Sequence, residues 1–269
     1  MSAHRGVVYS NHGGAAAAQP LAVSAALSVL QRGGSFIDAA IAASSVLAVT
    51  DPAASHIGGD AFLVVHFSAT KENLAFNGSG AAPERAIAEA FVEGIPLHGF
   101  KSATIPGLVS TWFAAHAKFG RLSFEEILSS AVGYADQGFP ANAGFVERMR
   151  LHLSNYPTST IFADMGILTD INVGDIVIQK DLAQSLRSIA TQGRSAFYIG
   201  CIAEKITAAT GGWISASDLS SHQTRILEPL SVKYRDLNIY GQPPPSQGVI
   251  LMEELLLAGH VNLKRSIKT

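Results

Sequence analysis

A single cysteine, Cys201, stands among 269 residues. An internal disulfide and a cysteine-built zinc site are therefore excluded. That usage suits a reducing compartment. Charge is also scarce: Asp, Glu, Lys and Arg make up 15% of the chain, so much of it belongs in an interior. The net charge is −2, with no basic or acidic block, which leaves nucleic-acid binding without an electrostatic footprint. Long apolar runs are missing too. The most apolar stretch, "FIDAAIAASSVLAV" over 36–49, carries Asp38 and falls short of the roughly 20 residues of a membrane span. It reads as a buried helix. The first twenty residues lack the apolar core of a signal peptide. The expectation is a cytoplasmic protein with no membrane or nucleic-acid partner. No HExxH motif and no GxSxG elbow occurs. Internal repeats, heptads and low-complexity linkers are absent as well.

What is present is a patterned chain, 48% hydrophobic. Its length suffices for one sizeable core or two small ones. "GVVYS" (6–10) reads as a short strand. Gln19-Pro20 opens a helix to about residue 30, and Arg32-Gly33-Gly34 stops it. Ser35 and Asp38 form a shortened capping box before the 36–49 helix, which Asp51-Pro52 ends. "FLVVHF" (62–67) and "NLAFNG" (73–78) read as a hairpin across a polar turn. Helices are expected over 86–92, within 103–120, from the Ser123/Glu126 box to about 137, and over 181–191, 202–209 and 249–257. "LSVKYRDLNIYG" reads as two strands around Arg235-Asp236. Residues 151–175 follow no clear pattern. Hairpin strands with grouped helices favour an antiparallel, layered α+β fold, taken as a single domain over 1–269.

Several stretches offer chemistry beside a plainer reading. In "IGGDAF", Gly58 and Gly59 either let a backbone approach a ligand or make the turn that feeds the 62–67 strand. The glycine spacing and the missing lysine rule out a Walker loop and a dinucleotide fingerprint there. His56, Asp60 and His66 are close in sequence, but no metal-ligand pattern joins them. In "NGSG", Asn77 and Ser79 offer an amide and a hydroxyl between Gly78 and Gly80, either as a polar cradle or as a turn. Cys201 opens a helix and is expected to be a buried structural thiol. Ser246 lies in "PPPSQG", which reads as a stiff turn into the last helix or as a pocket wall.

Taken in order, "VLQRGGSFIDAAIAASSVLAVTDP", "SHIGGDAFLVV", "NGSGAAP", "ATIPGLVSTWFAAHAKFGRLSFEEILSSAVGYADQGFP", "DLAQSLRSIATQGRSAFYIGCIAEKI", "GGWISASDL" and "PPPSQG" resemble the γ-glutamyltransferase (γ-glutamyltranspeptidase) family of N-terminal-nucleophile hydrolases. The resemblance implies part of a four-layer αββα sandwich, made as a proenzyme that cleaves itself into a large and a small subunit. The small subunit's N-terminal threonine is then the nucleophile and its own amino group the base. The implied function is amide hydrolysis or acyl transfer on γ-glutamyl compounds such as glutathione, without metal or organic cofactor. The implied partners are a small-molecule amide substrate and a threonine-leading small subunit.

Two departures bear on that expectation. Members of the family hold the substrate's carboxylate with an arginine in the loop before an Ala-Pro pair. Here Ser79 or Gly80 stands in its place, and a neutral hydroxyl makes no charged fork. Arg85, just after Pro83, is expected in a helix and is not assigned that role. This loop looks more like the oxamate amidohydrolase-like or acylase branch. Secondly, no threonine here, Thr269, Thr104, Thr111 and Thr224 included, matches the nucleophile. The expectation is therefore a truncated or separately encoded large-subunit part, inactive alone, with no catalytic residue of its own. Its substrate-binding candidates are Asn77, Ser79, Gly80, Gly58, Gly59 and Asp60. The alternative from another class is a non-catalytic remnant acting as a binding module.

Overall fold

The computed structural model describes residues 9–11, 13–156, 163 and 170–259. In chain order it runs through helices α1 (Pro20–Gln31) and α2 (Phe36–Thr50), hairpin strands β1 (Phe62–Phe67) and β2 (Glu72–Asn77), and two 3-10 turns (Ala88–Phe91 and Phe100–Ser102). Helices α3 (Leu108–Phe119) and α4 (Phe124–Gln137), strand β3 (Phe139–Pro140), α5 (Ala143–Asn155) and β4 (Ile176–Val177) follow. Next come helices α6 (Lys180–Gln192), α7 (Arg194–Tyr198), α8 (Cys201–Ala209) and α9 (Ala216–Ser221). Strands β5 (Arg225–Leu227), β6 (Leu230–Tyr234) and β7 (Leu237–Gly241) precede α10 (Gly248–Gly259). All strand pairs among the described residues are antiparallel, as in an α+β fold. The chain forms two compact units, Met1–Ile57 with His116–Ser195, and Gly58–Ala115 with Ala196–Thr269.

The first unit is built on α2. The helix is apolar on nearly every side, and it buries Ile37, Ile41, Ala42, Val46 and Val49. It packs against α1 and α4, and α4 packs against α6. The Ser35–Asp38 capping box forms as its spacing predicts. Asp38 does more than cap. It is fully buried, and its carboxylate also accepts the backbone N–H groups of Arg121 (3.0 Å) and Leu122 (3.2 Å). One acidic side chain thus ties the start of α2 to the turn before α4. That turn opens with the second expected box, Ser123–Glu126. Gly33 (φ +87°) and Gly138 (φ +97°) end α1 and α4 in backbone regions that favour glycine. Gln179 closes the unit by donating its amide to the Val49 carbonyl at 2.8 Å.

The second unit carries a three-stranded sheet ordered β1-β2-β5, and a β6-β7 hairpin on which α10 packs. The expected hairpin forms in the register Phe62↔Asn77 to Phe67↔Glu72, with Lys71 (φ +58°) in its turn. Gln242 holds the β6-β7 arm to the sheet. Its amide donates to the Leu63 carbonyl (2.7 Å) and the Phe76 carbonyl (3.1 Å).

Some expectations are corrected. The helix expected over 86–92 shrinks to one 3-10 turn, Ala88–Phe91, which buries none of its side chains fully and docks the Phe91 ring edge-on to Trp213 at 5.6 Å, too little packing to sustain a longer helix. Arg85 lies in a turn, not a helix. Cys201 is exposed rather than buried, since α8 turns Ile202 and Ala203 inward instead. Helix α5 starts where no element is expected and runs into the stretch from 151 that shows no clear pattern; the Asn142 side chain caps it by accepting the Phe145 N–H at 2.8 Å. Residues 6–8 of the expected first strand and most of 157–169 lie outside the described residues.

Candidate functional site

The six candidate residues all fall in the second unit. Backbone hydrogen bonds bring most of them together. The Gly59 carbonyl accepts the N–H groups of Gly107 (2.9 Å) and Leu108 (2.8 Å), and the Ala61 carbonyl accepts the N–H of Gly78 (2.9 Å). The 58–61 turn therefore lies against the 77–80 loop and the start of α3. Asp60 adds a side-chain link, its Oδ1 accepting the Gly80 N–H at 3.2 Å. Asn77 is buried at 2% exposure, and its Oδ1 accepts the Ser79 N–H at 3.0 Å. That local bond turns the chain tightly after β2. Ser79 and Gly80 are half-exposed, whereas Gly58 and Asp60 are exposed.

Close approach, not conformational freedom, explains the glycines of this loop. A Cβ on Gly78 would sit 1.8 Å from Thr111 Oγ1, and one on Gly80 would sit 1.7 Å from the Ile105 carbonyl oxygen. Gly107 meets Gly78 from the other side, where an added Cβ would lie 1.7 Å from the Gly78 carbonyl oxygen. Three glycines let two strands of backbone touch. Along the loop, Ser79 and Gly80 stay half-exposed, and Ala81 and Ala82 are exposed.

Behind this contact lies a set of buried hydroxyl groups that sequence reasoning did not single out. Tyr198 Oη donates to the Pro106 carbonyl (2.8 Å) and accepts the Ser110 N–H (3.0 Å). Ser110 Oγ accepts both the N–H (3.1 Å) and the hydroxyl (2.9 Å) of Thr224. Thr111 Oγ1 donates to the Gly107 carbonyl at 3.0 Å. These bonds pin 105–111, and so the wall that the loop rests on. A fully buried tyrosine was the available sequence signal only once its burial was known.

Asp218 lies in "GGWISASDL", which reads from the sequence as a turn with a short cap, Ser215 and Asp218 having the same spacing as Ser35 and Asp38, but nothing there singles it out as a site residue. It caps α9 and also accepts the Glu84 N–H at 3.0 Å. Burial alone would raise its carboxyl pKa. The Ser215 hydroxyl, the backbone N–H groups of Ser215 and Glu84, and the nearby Arg85 charge outweigh burial and hold it below the usual carboxylate range. Arg85 lies over Gly212, where an added Cβ would meet its guanidinium at 3.4 Å. His66 pairs with Asn73 across the hairpin at 2.8 Å. Ser246 accepts the Gly248 N–H at 3.1 Å at the start of α10.

The gamma-glutamyltranspeptidase family model matches residues 22–269. The chain belongs to this family. A glutathione hydrolase-like YwrD proenzyme of Bacillus subtilis is 36% identical over 238 residues, covering 85% of this chain and 45% of the relative. An oxamate amidohydrolase proenzyme of Klebsiella pneumoniae is 32% identical over 254 residues, covering 90% of this chain and 48% of the relative. Among solved structures, the gamma-glutamyltranspeptidase of Helicobacter pylori superposes with a TM-score of 0.89 at 30% identity, covering 96% of this chain and 78% of that one. This gamma-glutamyltranspeptidase-family chain thus has the N-terminal-nucleophile hydrolase fold. It spans about half the length of the curated relatives it matches.

Proposed function

We propose that this chain is the large-subunit part of an amide hydrolase or acyltransferase acting on γ-glutamyl compounds such as glutathione. In this reading residues 1–269 act as one domain of a four-layer αββα sandwich. The attacking threonine comes from a small subunit outside these residues. The chain's share of the work is to bind and orient substrate. Asn77, Ser79 and Gly80 form the contact loop, with Gly58, Gly59 and Asp60 at its base. The observation that carries the reading is the packed glycine contact between 77–80 and 105–107, which presents the Ser79 hydroxyl and loop backbone on a rigid wall.

The experiment is complementation. The chain alone is expected to release no p-nitroaniline from γ-glutamyl-p-nitroanilide, and activity is expected once a threonine-leading small subunit of the family is supplied. Turnover by the isolated chain would overturn the division of labour.

A second reading rests on Ser79. With a hydroxyl where a guanidinium is expected, the pocket favours an oxamate-like or acylase-type amide over a γ-glutamyl one. Parallel assays of the complemented enzyme on oxamate and γ-glutamyl-p-nitroanilide separate the two. Failure of every amide, with the complex formed, would favour a binding module.

A further inference from the structure

We propose that Asp218 is a positioning residue for the substrate loop, clamping its rear end through the backbone N–H of Glu84. The proposal rests on the reading of 77–80 as the substrate-contact loop. The geometry sets Asp218 apart from an ordinary helix cap. In the Ser123–Glu126 box, glutamate Oε2 alone takes the serine N–H and hydroxyl. Asp218 likewise satisfies its box with one oxygen, Oδ2, which accepts the Ser215 N–H (2.8 Å) and hydroxyl (2.7 Å). Its Oδ1 is turned instead to Glu84, 134 residues away in sequence. The donor there is a backbone N–H. The bond therefore fixes the path of the chain, whatever side chain stands at 84.

The segment 80–84, which leads out of the contact loop, is then held at both ends. Asp60 takes the Gly80 N–H at the front, and Asp218 takes the Glu84 N–H at the rear. Between them the Ala81 carbonyl accepts the Ile105 N–H at 3.1 Å, and Pro83 is buried. A contact loop whose exit is fixed in this way meets its ligand with less ordering left to do. Asp218 is only 7% exposed, so water competes poorly for its carboxylate.

Hydrogen–deuterium exchange on the full chain tests the clamp without any need for activity. In Asp218→Ala the amides of 79–86 are expected to exchange about tenfold faster than in the parent. Ser215→Ala removes the hydroxyl half of the capping box but keeps the bond to Glu84. It is expected to loosen α9 and leave 79–86 protected. Equal loosening of the loop in both variants, or in neither, overturns the clamp. Should Asp218→Ala fail to fold, Glu84→Pro carries the same comparison, because it removes the donor N–H itself at the second position of the turn closed by the Ala86 N–H and the Pro83 carbonyl. In the complemented enzyme, Asp218→Ala is expected to raise KM for γ-glutamyl-p-nitroanilide about tenfold with kcat little changed, and Asp218→Asn, which keeps one acceptor oxygen, to restore part of it. A loosened loop with unchanged KM overturns the positioning role. A parent complex that turns over no amide defeats the proposed activity instead, and the exchange result still decides the clamp.

Discussion

Gly80 and Asp38 show how much one position decides. The space for a Cβ on Gly80 is taken by the Ile105 backbone, which cannot rotate away. Gly80→Ala is expected to cost about 3 kcal/mol by forcing the two backbones apart, read as a lowered urea midpoint with unchanged slope. Asp38 is fully buried and accepts three backbone N–H groups from two regions of the chain. Asp38→Ala leaves those donors unmatched and is expected to cost about 3 kcal/mol. Asp218 adds a pH dependence. Its folded pKa is lowered, so its contribution is fully present above the unfolded value of about 3.9 and is lost as pH falls through the folded one. As pH falls from about 4 through the lowered folded value, Asp218→Asn should therefore converge with the parent in stability. Ser79 bears on specificity. In the complemented enzyme, Ser79→Arg is expected to lower KM for γ-glutamyl-p-nitroanilide about tenfold by adding a charged fork. No change would remove Ser79 from the carboxylate end of the pocket.

Elements form here where local signals and packing agree. The helix starts at Ser35 and Ser123 were readable because each serine meets an acid three residues on, and both boxes form. Ser123→Ala is expected to cost about 1 kcal/mol in a thermal melt, the usual worth of such a cap. Helix α5 was missed because its N-cap is a lone Asn142 with no acid at the third position and only three buried residues. The 86–92 segment misled in the opposite direction, since alanine-rich composition favours a helix, whereas no side chain of its 3-10 turn is fully buried and the ring contact there is Phe91 edge-on to Trp213. Helices α4 and α6 are also joined by charge: Asp136 contacts Lys180 (2.9 Å) and Arg187 (2.6 Å). Those two bonds lower the Asp136 pKa. The link is present above the ordinary aspartate range and disappears as pH falls through the lowered value. Asp136→Asn should flatten the salt dependence of the melting temperature.

At the scale of the whole molecule, α10 is the least satisfied element. It is apolar almost throughout, yet only Met252 is buried, while Leu251 (47%), Leu256 (50%) and Leu257 (68%) stand open. Glu253 and Glu254 are its charged residues, and a helix whose open surface is otherwise so apolar belongs in part against another surface. The isolated chain is therefore expected to bind an apolar dye such as ANS, and to bind less of it once the small subunit is supplied. Unchanged dye binding would mean that the subunit covers some other surface.

Local order was legible from residues alone. Capping boxes, glycine stops, the 62–77 hairpin and the Arg235-Asp236 turn all rest on short-range geometry, and the sequence of motifs carried the family. Among the described residues no helix is long and apolar enough to cross a membrane, in keeping with the short apolar runs. The position of the 77–80 loop was legible, but its support was not. That Gly78 and Gly80 are occupied by neighbouring backbone, that Tyr198, Ser110 and Thr224 brace the wall behind them, and that Asp218 reaches Glu84 all join residues far apart in the chain. Spacing along a sequence reports contacts within a turn or two. Only the folded chain decides which distant backbone fills a glycine's missing side chain, and which second oxygen of a capping acid finds a donor.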